Sequence, residues 1–129
     1  MFDNNVFKKN SCKNIEENSE VIGYELQTLI TYYRGIPLSM LEFIKIEVDD
    51  VEVSSKDIRI SIDRKDWFSL TESVTVTTYK WEYGEPLYIR VLKTGGLSKG
   101  NHQVKLTVAT RTAYIPVPLV GVKVRTVAV

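Results

Sequence analysis

Apolar and polar residues alternate with a period of two along most of the chain. Tyr24, Leu26, Thr28, Ile30 and Tyr32 share one face of an extended backbone, and Gly35-Ile36-Pro37 ends that run. Ile44, Ile46 and Val48 alternate with Phe43, Lys45 and Glu47; Asp49-Asp50 marks a turn, and Val51 and Val53 resume the pattern. Ile58, Ile60 and Ile62 alternate with Arg59, Ser61 and Asp63, a half-buried strand with one wet face. A polar turn, Arg64-Lys65-Asp66, follows before Trp67-Phe68.

The segment Val74 to Tyr79 is β-branched almost throughout, which argues against helix. Gly84-Glu85-Pro86 is a second break. Leu87, Ile89 and Val91 then alternate with Tyr88, Arg90 and Leu92. Gly95-Gly96-Leu97-Ser98-Lys99-Gly100 reads as a glycine-rich hairpin connection. It leads into a long strand with His102, Val104, Leu106 and Val108 on one face. The tail from Val120 to Val129 alternates again, with Lys123 and Arg125 on one side and Val122 and Val124 on the other.

The one helical candidate, Leu38 to Glu47, contains Phe43, Ile44 and Ile46 and reads better as strand. The pattern therefore predicts an all-β fold, an antiparallel two-sheet β-sandwich of about eight or nine strands. Residues 1–20 are polar and Asn-rich, with Phe2, Val6 and Phe7 as anchors, and are expected to form an irregular N-terminal arm. No composition shift divides the 129 residues, so a single domain over 1–129 is expected, long enough to bury a core without staples.

Charge and cysteine content narrow the function classes. Seventeen basic and 16 acidic side chains give a net charge of +1, so bulk electrostatics favours neither nucleic acid nor an anionic membrane. The single cysteine, Cys12, cannot build a disulfide framework and points to a reducing, cytoplasmic setting. The opening Met1-Phe2-Asp3-Asn4-Asn5 lacks the pattern of a secretory leader. No apolar stretch approaches the roughly 18 residues of a membrane span; Tyr114 to Val122 is broken by Pro116, Pro118 and Gly121.

Chemistry-bearing residues are sparse. One His and one Cys make a zinc site in this chain improbable, so no metal or catalytic residue is assigned to it. His102 lies on the apolar alternation of a strand and reads as a structural, hydrogen-bonded residue. No Gly-x-Ser-x-Gly elbow accompanies it, and no helix follows Gly95-Gly96 to receive a phosphate.

Aromatic density is more informative. Tyr32-Tyr33-Arg34-Gly35-Ile36-Pro37-Leu38 sets two tyrosines and an arginine beside a tight turn, and Trp81-Glu82-Tyr83-Gly84-Glu85-Pro86 is a second aromatic turn. Tyr, Trp and Arg are favoured at interface hot spots. Tyr114-Ile115-Pro116-Val117-Pro118-Leu119-Val120 is apolar, yet its prolines forbid a central strand. It must pack along the sandwich or lie under a partner.

At these residues the chain resembles the small (β) subunit of the bacterial C-glycoside deglycosidases over nearly its whole length. The resemblance is carried by Met1-Phe2-Asp3, Tyr33-Arg34-Gly35-Ile36-Pro37-Leu38, Val48-Asp49-Asp50 and Gly84-Glu85-Pro86-Leu87. It continues in Gly95-Gly96-Leu97-Ser98-Lys99-Gly100-x-His102 and in Arg111 with Tyr114-x-Pro116. It implies a β-sandwich bound to a larger α subunit that resembles sugar-phosphate isomerases, a TIM-barrel protein holding a divalent metal, commonly manganese. The pair would cleave the C–C bond between a 3-oxo-glucosyl group and a flavonoid-like aglycone by elimination. Catalytic base and metal ligands would then belong to the partner. Tyr32, Tyr33, Arg34, Gly35, Ile36 and Pro37 are the candidates to face the partner or its active-site mouth. Tyr114, Pro116, Val117, Pro118 and Leu119 are the candidates for buried apolar contact.

Two other readings compete. A free carbohydrate-binding β-sandwich module would stack sugars on Trp67, Trp81 and Tyr83. An autonomous enzyme would centre on His102.

Overall fold

A computed structural model of the chain describes residues 6–29, 36–73, 75, 79–82, 84–112 and 115–129, with side chains described for all of these except 112 and 115–119. Eleven strands are β1 (Lys13–Glu17), β2 (Glu20–Thr28), β3 (Ile36–Pro37), β4 (Leu41–Val48), β5 (Val51–Glu52), β6 (Ile58–Ser61), β7 (Phe68–Ser69), β8 (Lys80–Trp81), β9 (Leu87–Leu92), β10 (Asn101–Thr112) and β11 (Ile115–Ala128). They form a five-stranded sheet in the order β1-β2-β9-β6-β7, a four-stranded sheet in the order β11-β10-β4-β5, and a β3-β8 ribbon. The pairings are antiparallel, as the sandwich reading expects.

The inner faces follow the alternation in the sequence. Leu26, Ile89 and Ile60 form one cross-strand row of the five-stranded sheet, and Tyr24, Val91 and Ile58 the next. Leu106 pairs with Ile46 and Val108 with Ile44 on the other sheet, and all of these side chains are buried. Burial of such rows is the main stabilising term of a sandwich.

Two hairpins turn through left-handed residues other than glycine. Asn18-Ser19 joins β1 to β2 with φ of 54° and 66°, and Asp49-Asp50 joins β4 to β5 with φ of 50° and 67°. Two-residue loops with both residues left-handed match the right-handed twist of the strands they connect.

Three sequence expectations are corrected. Among the described residues the arm is irregular only over 6–12, because Lys13–Glu17 pairs with β2 as a strand. Val6 and Phe7 do anchor it: both are buried, and Phe7 donates its N–H to Thr28 Oγ1 at 3.2 Å. The glycine-rich segment after β9 is not a hairpin. β9 is already paired on both edges with β2 and β6, and β10 with β4 and β11, so the connection must cross from one sheet to the other. Gly95 and Gly96 supply the positive φ the crossing needs (84° and 62°), and Leu97 drops into the core as its anchor.

The tail keeps the two sides that its alternation sets out. β11 turns Val120, Val122 and Val124 outward and sets Lys123 and Arg125 opposite the inward-facing Leu106 and Val104. Arg125 is accommodated there because the arm meets it. Its Nε donates to the Phe7 carbonyl, and its guanidinium lies 5.9 Å from the Phe7 ring centre. Third, a one-turn helix, α1 (Leu70–Ser73), was not foreseen. Ser69-x-x-Glu72 forms a reciprocal capping box: the Ser69 Oγ accepts from the Glu72 N–H at 3.1 Å, and Glu72 Oε1 accepts from the Ser69 N–H at 2.9 Å. Ile30, Tyr32 and most of the β-branched run at 74–78 lie outside the described residues.

Candidate functional site

The outer faces of the two sheets differ in character. On the five-stranded sheet Glu25 is fully buried although it points away from the core. Arg64 covers it from the loop after β6, and Arg90 of β9 pairs with it across the strands. Arg64 also lies 4.5 Å above the Tyr88 ring, and Arg90 lies 4.2 Å from the Trp67 ring centre. The loop holds its shape because Asp63 Oδ1 accepts from the N–H groups of Lys65 and Asp66 and from the Ser61 hydroxyl. Those bonds hold the Asp63 carboxyl below the usual carboxylate range. The chain's own side chains thus cover the part of this face around Glu25, while Leu92, further along β9, stays exposed.

The four-stranded sheet is different. Phe43, Ala109 and Val120 lie in one cross-strand row, with Val122 and Val124 further along β11. Phe43, Val120, Val122 and Val124 are exposed large apolar residues on that face. Ion pairs border them toward β5: Lys45 with Glu52 at 3.6 Å and Lys105 with Glu47 at 3.7 Å.

The third arrangement surrounds His102. Its Nδ1 lies 2.7 Å from Asp49 Oδ2, and its Nε2 lies 2.7 Å from the Ser98 carbonyl. Both ring nitrogens face acceptors, an arrangement that the doubly protonated ring satisfies at both ends. The Asp49 bond, then the Ser98 carbonyl, raise the His102 pKa above its ordinary value. The Gln103 N–H, then His102, lower that of Asp49. The Ser98 hydroxyl is 3.3 Å from Nε2, so a serine, a histidine and an aspartate stand in the order a nucleophilic triad would use. The chemistry does not follow from that order. A general base needs a free lone pair on Nε2, and that nitrogen is directed at a carbonyl. The cluster ties the β4–β5 turn to the crossing segment and to β10.

Other expected or rival site residues fall as follows. Cys12 is partly covered, and burial pushes its thiol up to about 12, far from a reactive thiolate. Trp81 is fully buried and donates from its indole N–H to the Glu85 carbonyl at 2.9 Å, so it offers no platform for a sugar. Trp67 has Arg90 against its ring, and Tyr83 lies outside the described residues. Ile36 and Pro37 form β3, with Ile36 buried opposite Trp81. Pro116, Val117, Pro118 and Leu119 lie on β11, an edge strand, as their prolines require. Tyr32, Tyr33, Arg34, Gly35 and Tyr114 lie outside the described residues. Among the described residues no group of three His, Cys, Asp or Glu is placed to hold a metal ion, and no helix is long and apolar enough to cross a membrane.

Glu25, Arg64, Asp49 and Ser98 were missed as partners by sequence reasoning. Their signal is cross-strand and cross-sheet pairing, which one-dimensional alternation does not contain.

Fold and surfaces together define an antiparallel β-sandwich with one outer face covered around Glu25 by arginines and aromatic rings and one outer face that carries several exposed apolar residues. The chain belongs to the C-glycoside deglycosidase β subunit family, whose model matches residues 2–114. It is 25% identical over 99 residues to a C-glycoside deglycosidase β subunit of Eubacterium cellulosolvens, covering 77% of this chain and 67% of that protein. It is 28% identical over 95 residues to a 3'-dehydrocarminate deglycosidase β subunit of a Microbacterium species, covering 74% of this chain and 70% of that protein.

Proposed function

We propose that this chain is the small, non-catalytic subunit of a cytoplasmic C-glycoside deglycosidase and acts by supporting a larger α subunit. The observation that carries the reading is the family match over residues 2–114. The larger subunit would be a TIM-barrel protein resembling sugar-phosphate isomerases, and its divalent metal, commonly manganese, would polarise the substrate ketone. The reaction is the elimination of the aglycone from a 3-oxo-C-glucoside. The ketone acidifies the neighbouring C–H, and a base of the larger subunit removes that proton. The His102 geometry supports this division of labour, because both nitrogens of this chain's only imidazole face acceptors.

The contact surface is assigned to the outer face of the four-stranded sheet. Four exposed apolar side chains, Phe43, Val120, Val122 and Val124, support that choice, whereas the opposite face carries Leu92 beside the arginines and rings around Glu25. Tyr114, Pro116, Val117, Pro118 and Leu119 would continue the apolar contact. Tyr32, Tyr33, Arg34, Gly35, Ile36 and Pro37 would face the partner or its active-site mouth. The test is an assay of 3-oxo-C-glucoside cleavage by this chain, by the cognate larger subunit, and by the two mixed. Activity in the mixture is expected. Turnover by this chain alone overturns the reading.

A further inference from the structure

A groove of about 560 Å³ lies between the N-terminal arm and the end of β11. Phe7 and Val127, both buried, form its floor. Lys9 and Arg125 bring two cations, Asn10 an amide and Thr126 a hydroxyl, and none of the described residues that line it is acidic. The charge along the chain has the same sign there. All 16 acidic residues precede Pro86, whereas Lys and Arg continue to Arg125. The arm from Val6 to Ile15 likewise carries Lys8, Lys9 and Lys13 and no carboxylate.

Arg125 differs from the other arginines of the sheets. Arg64, Arg90 and Arg111 each pair with a glutamate. Arg125 is half-buried, yet among the described residues it makes no ion pair. Its Nε donates to the Phe7 carbonyl, which leaves the Nη groups for another acceptor. A cation drawn partly out of water costs free energy until a counter-charge meets it. The groove is where that counter-charge can reach it.

The balance of groups selects the ligand class. Two cations without a carboxylate repel a cationic ligand and match a dianion better than a single carboxylate. Guanidinium Nη groups fit two oxygens of a tetrahedral oxyanion, and an ammonium adds a point charge. The volume lies in the range of small-molecule sites, so the organic part of an ester has room as well.

We propose that this groove binds a phosphate group, free or as a monoester, held by the Arg125 guanidinium and the Lys9 ammonium with Asn10 and Thr126 as further donors. The site stands on the arm and β11 and does not depend on the deglycosidase reading.

The experiment titrates the isotope-labelled full chain with inorganic phosphate at constant ionic strength and about pH 8, where the ion is doubly charged. Backbone amide and arginine Nε–H NMR shifts are followed. Saturable shifts confined to residues 7–12 and 124–128 are expected, with a dissociation constant below about 5 mM. A parallel titration with methyl phosphate distinguishes the free ion from an ester as the better occupant, and saturation by either supports the site. Acetate should bind at least about tenfold more weakly. Arg125→Gln should weaken phosphate about tenfold. Lys9→Gln, which leaves the buried Phe7 anchor and Arg125 in place, should weaken it about threefold. Lys45→Gln, which removes a cation from β4, should leave binding unchanged. No saturation by either phosphate up to about 50 mM, acetate binding as tight as phosphate, or undiminished binding by Lys9→Gln overturns the proposal.

Discussion

Arg64 Nη2 lies 2.6 Å from Oε2 of Glu25, an ion pair that joins residues 39 apart and buries the carboxylate completely. A buried carboxylate is tolerated only when paired, and Arg90 approaches the other oxygen at 3.5 Å. Glu25→Ala removes the charge that both guanidiniums share. Arg64 can swing to water, whereas Arg90 stays between Trp67 and the strand with its side chain 21% exposed. The expected loss is roughly 2–4 kcal/mol. Arg64→Ala should cost less, about 1–2 kcal/mol, because Arg90 remains. Urea unfolding of the two variants checks the order; a larger loss for Arg64→Ala would contradict it.

The His102–Asp49 clamp should impose a pH window on stability. His102 is raised above 6.5 in the folded chain, so its contribution is fully present below about 6.5 and is lost as pH rises through the folded value. Asp49 is lowered below 3.8, so its contribution is present above about 3.8 and is lost as pH falls through its folded value. The stability gap between the parent chain and His102→Gln should therefore be widest between those limits and narrow on both sides. Thermal unfolding across pH 3 to about 9 measures it. A gap that widens with alkalinity would mean that neutral imidazole, not the double donor, is the stabilising form.

The two tight turns predict a gain. Ser19 and Asp50 hold the second left-handed position of their hairpins with φ of 66° and 67°, a conformation in which a Cβ is strained. Both are exposed, and glycine is the residue that such turns prefer. Ser19→Gly and Asp50→Gly should each raise stability by about 0.5 kcal/mol, the relief of strain outweighing glycine's extra unfolded freedom. A chemical-denaturation midpoint that falls in both variants would refute the strain argument.

What could be read from the sequence was what depends on near neighbours. Ile58 and Ile60, Leu87, Ile89 and Val91, and Val104, Leu106 and Val108 are all buried on the faces that alternation assigned. Pro116 and Pro118 forbade a central strand, and β11 lies at a sheet edge, although it starts at Ile115 and not at Val120 where the alternation resumed. The misread features depend on which strands pair. The same Gly95-Gly96 pair suits a hairpin or a sheet crossing, and only the occupied edges of β9 decide. The alternating tail gave the period of β11 but not its facing. That was set by Phe7, 118 residues away, which receives Arg125 and leaves the valines outside. Trp81, which resembles a surface stacking residue in its aromatic turn, is drawn inside by its bond to Glu85 and by Ile36 opposite.

The outward valines lead to the last prediction. Val120 and Val124 are 55% and 47% exposed on the face assigned to the larger subunit. Replacing each with Glu leaves the core rows untouched, so the chain's own stability should change by no more than about 1 kcal/mol, the span of strand propensity. Association is another matter. A carboxylate in the desolvated centre of an apolar contact must be buried without a partner, which costs several kcal/mol and lowers affinity by more than about a hundredfold. Val51→Glu is the control: Val51 is 68% exposed on the hairpin, away from the Phe43–Ala109–Val120 row. Calorimetric titration with the cognate larger subunit should show strong weakening for Val120→Glu and Val124→Glu and none for Val51→Glu. Parent-like affinity in both outer-face variants would remove this sheet from the contact and direct attention to the Ile36–Pro37 side of the sandwich.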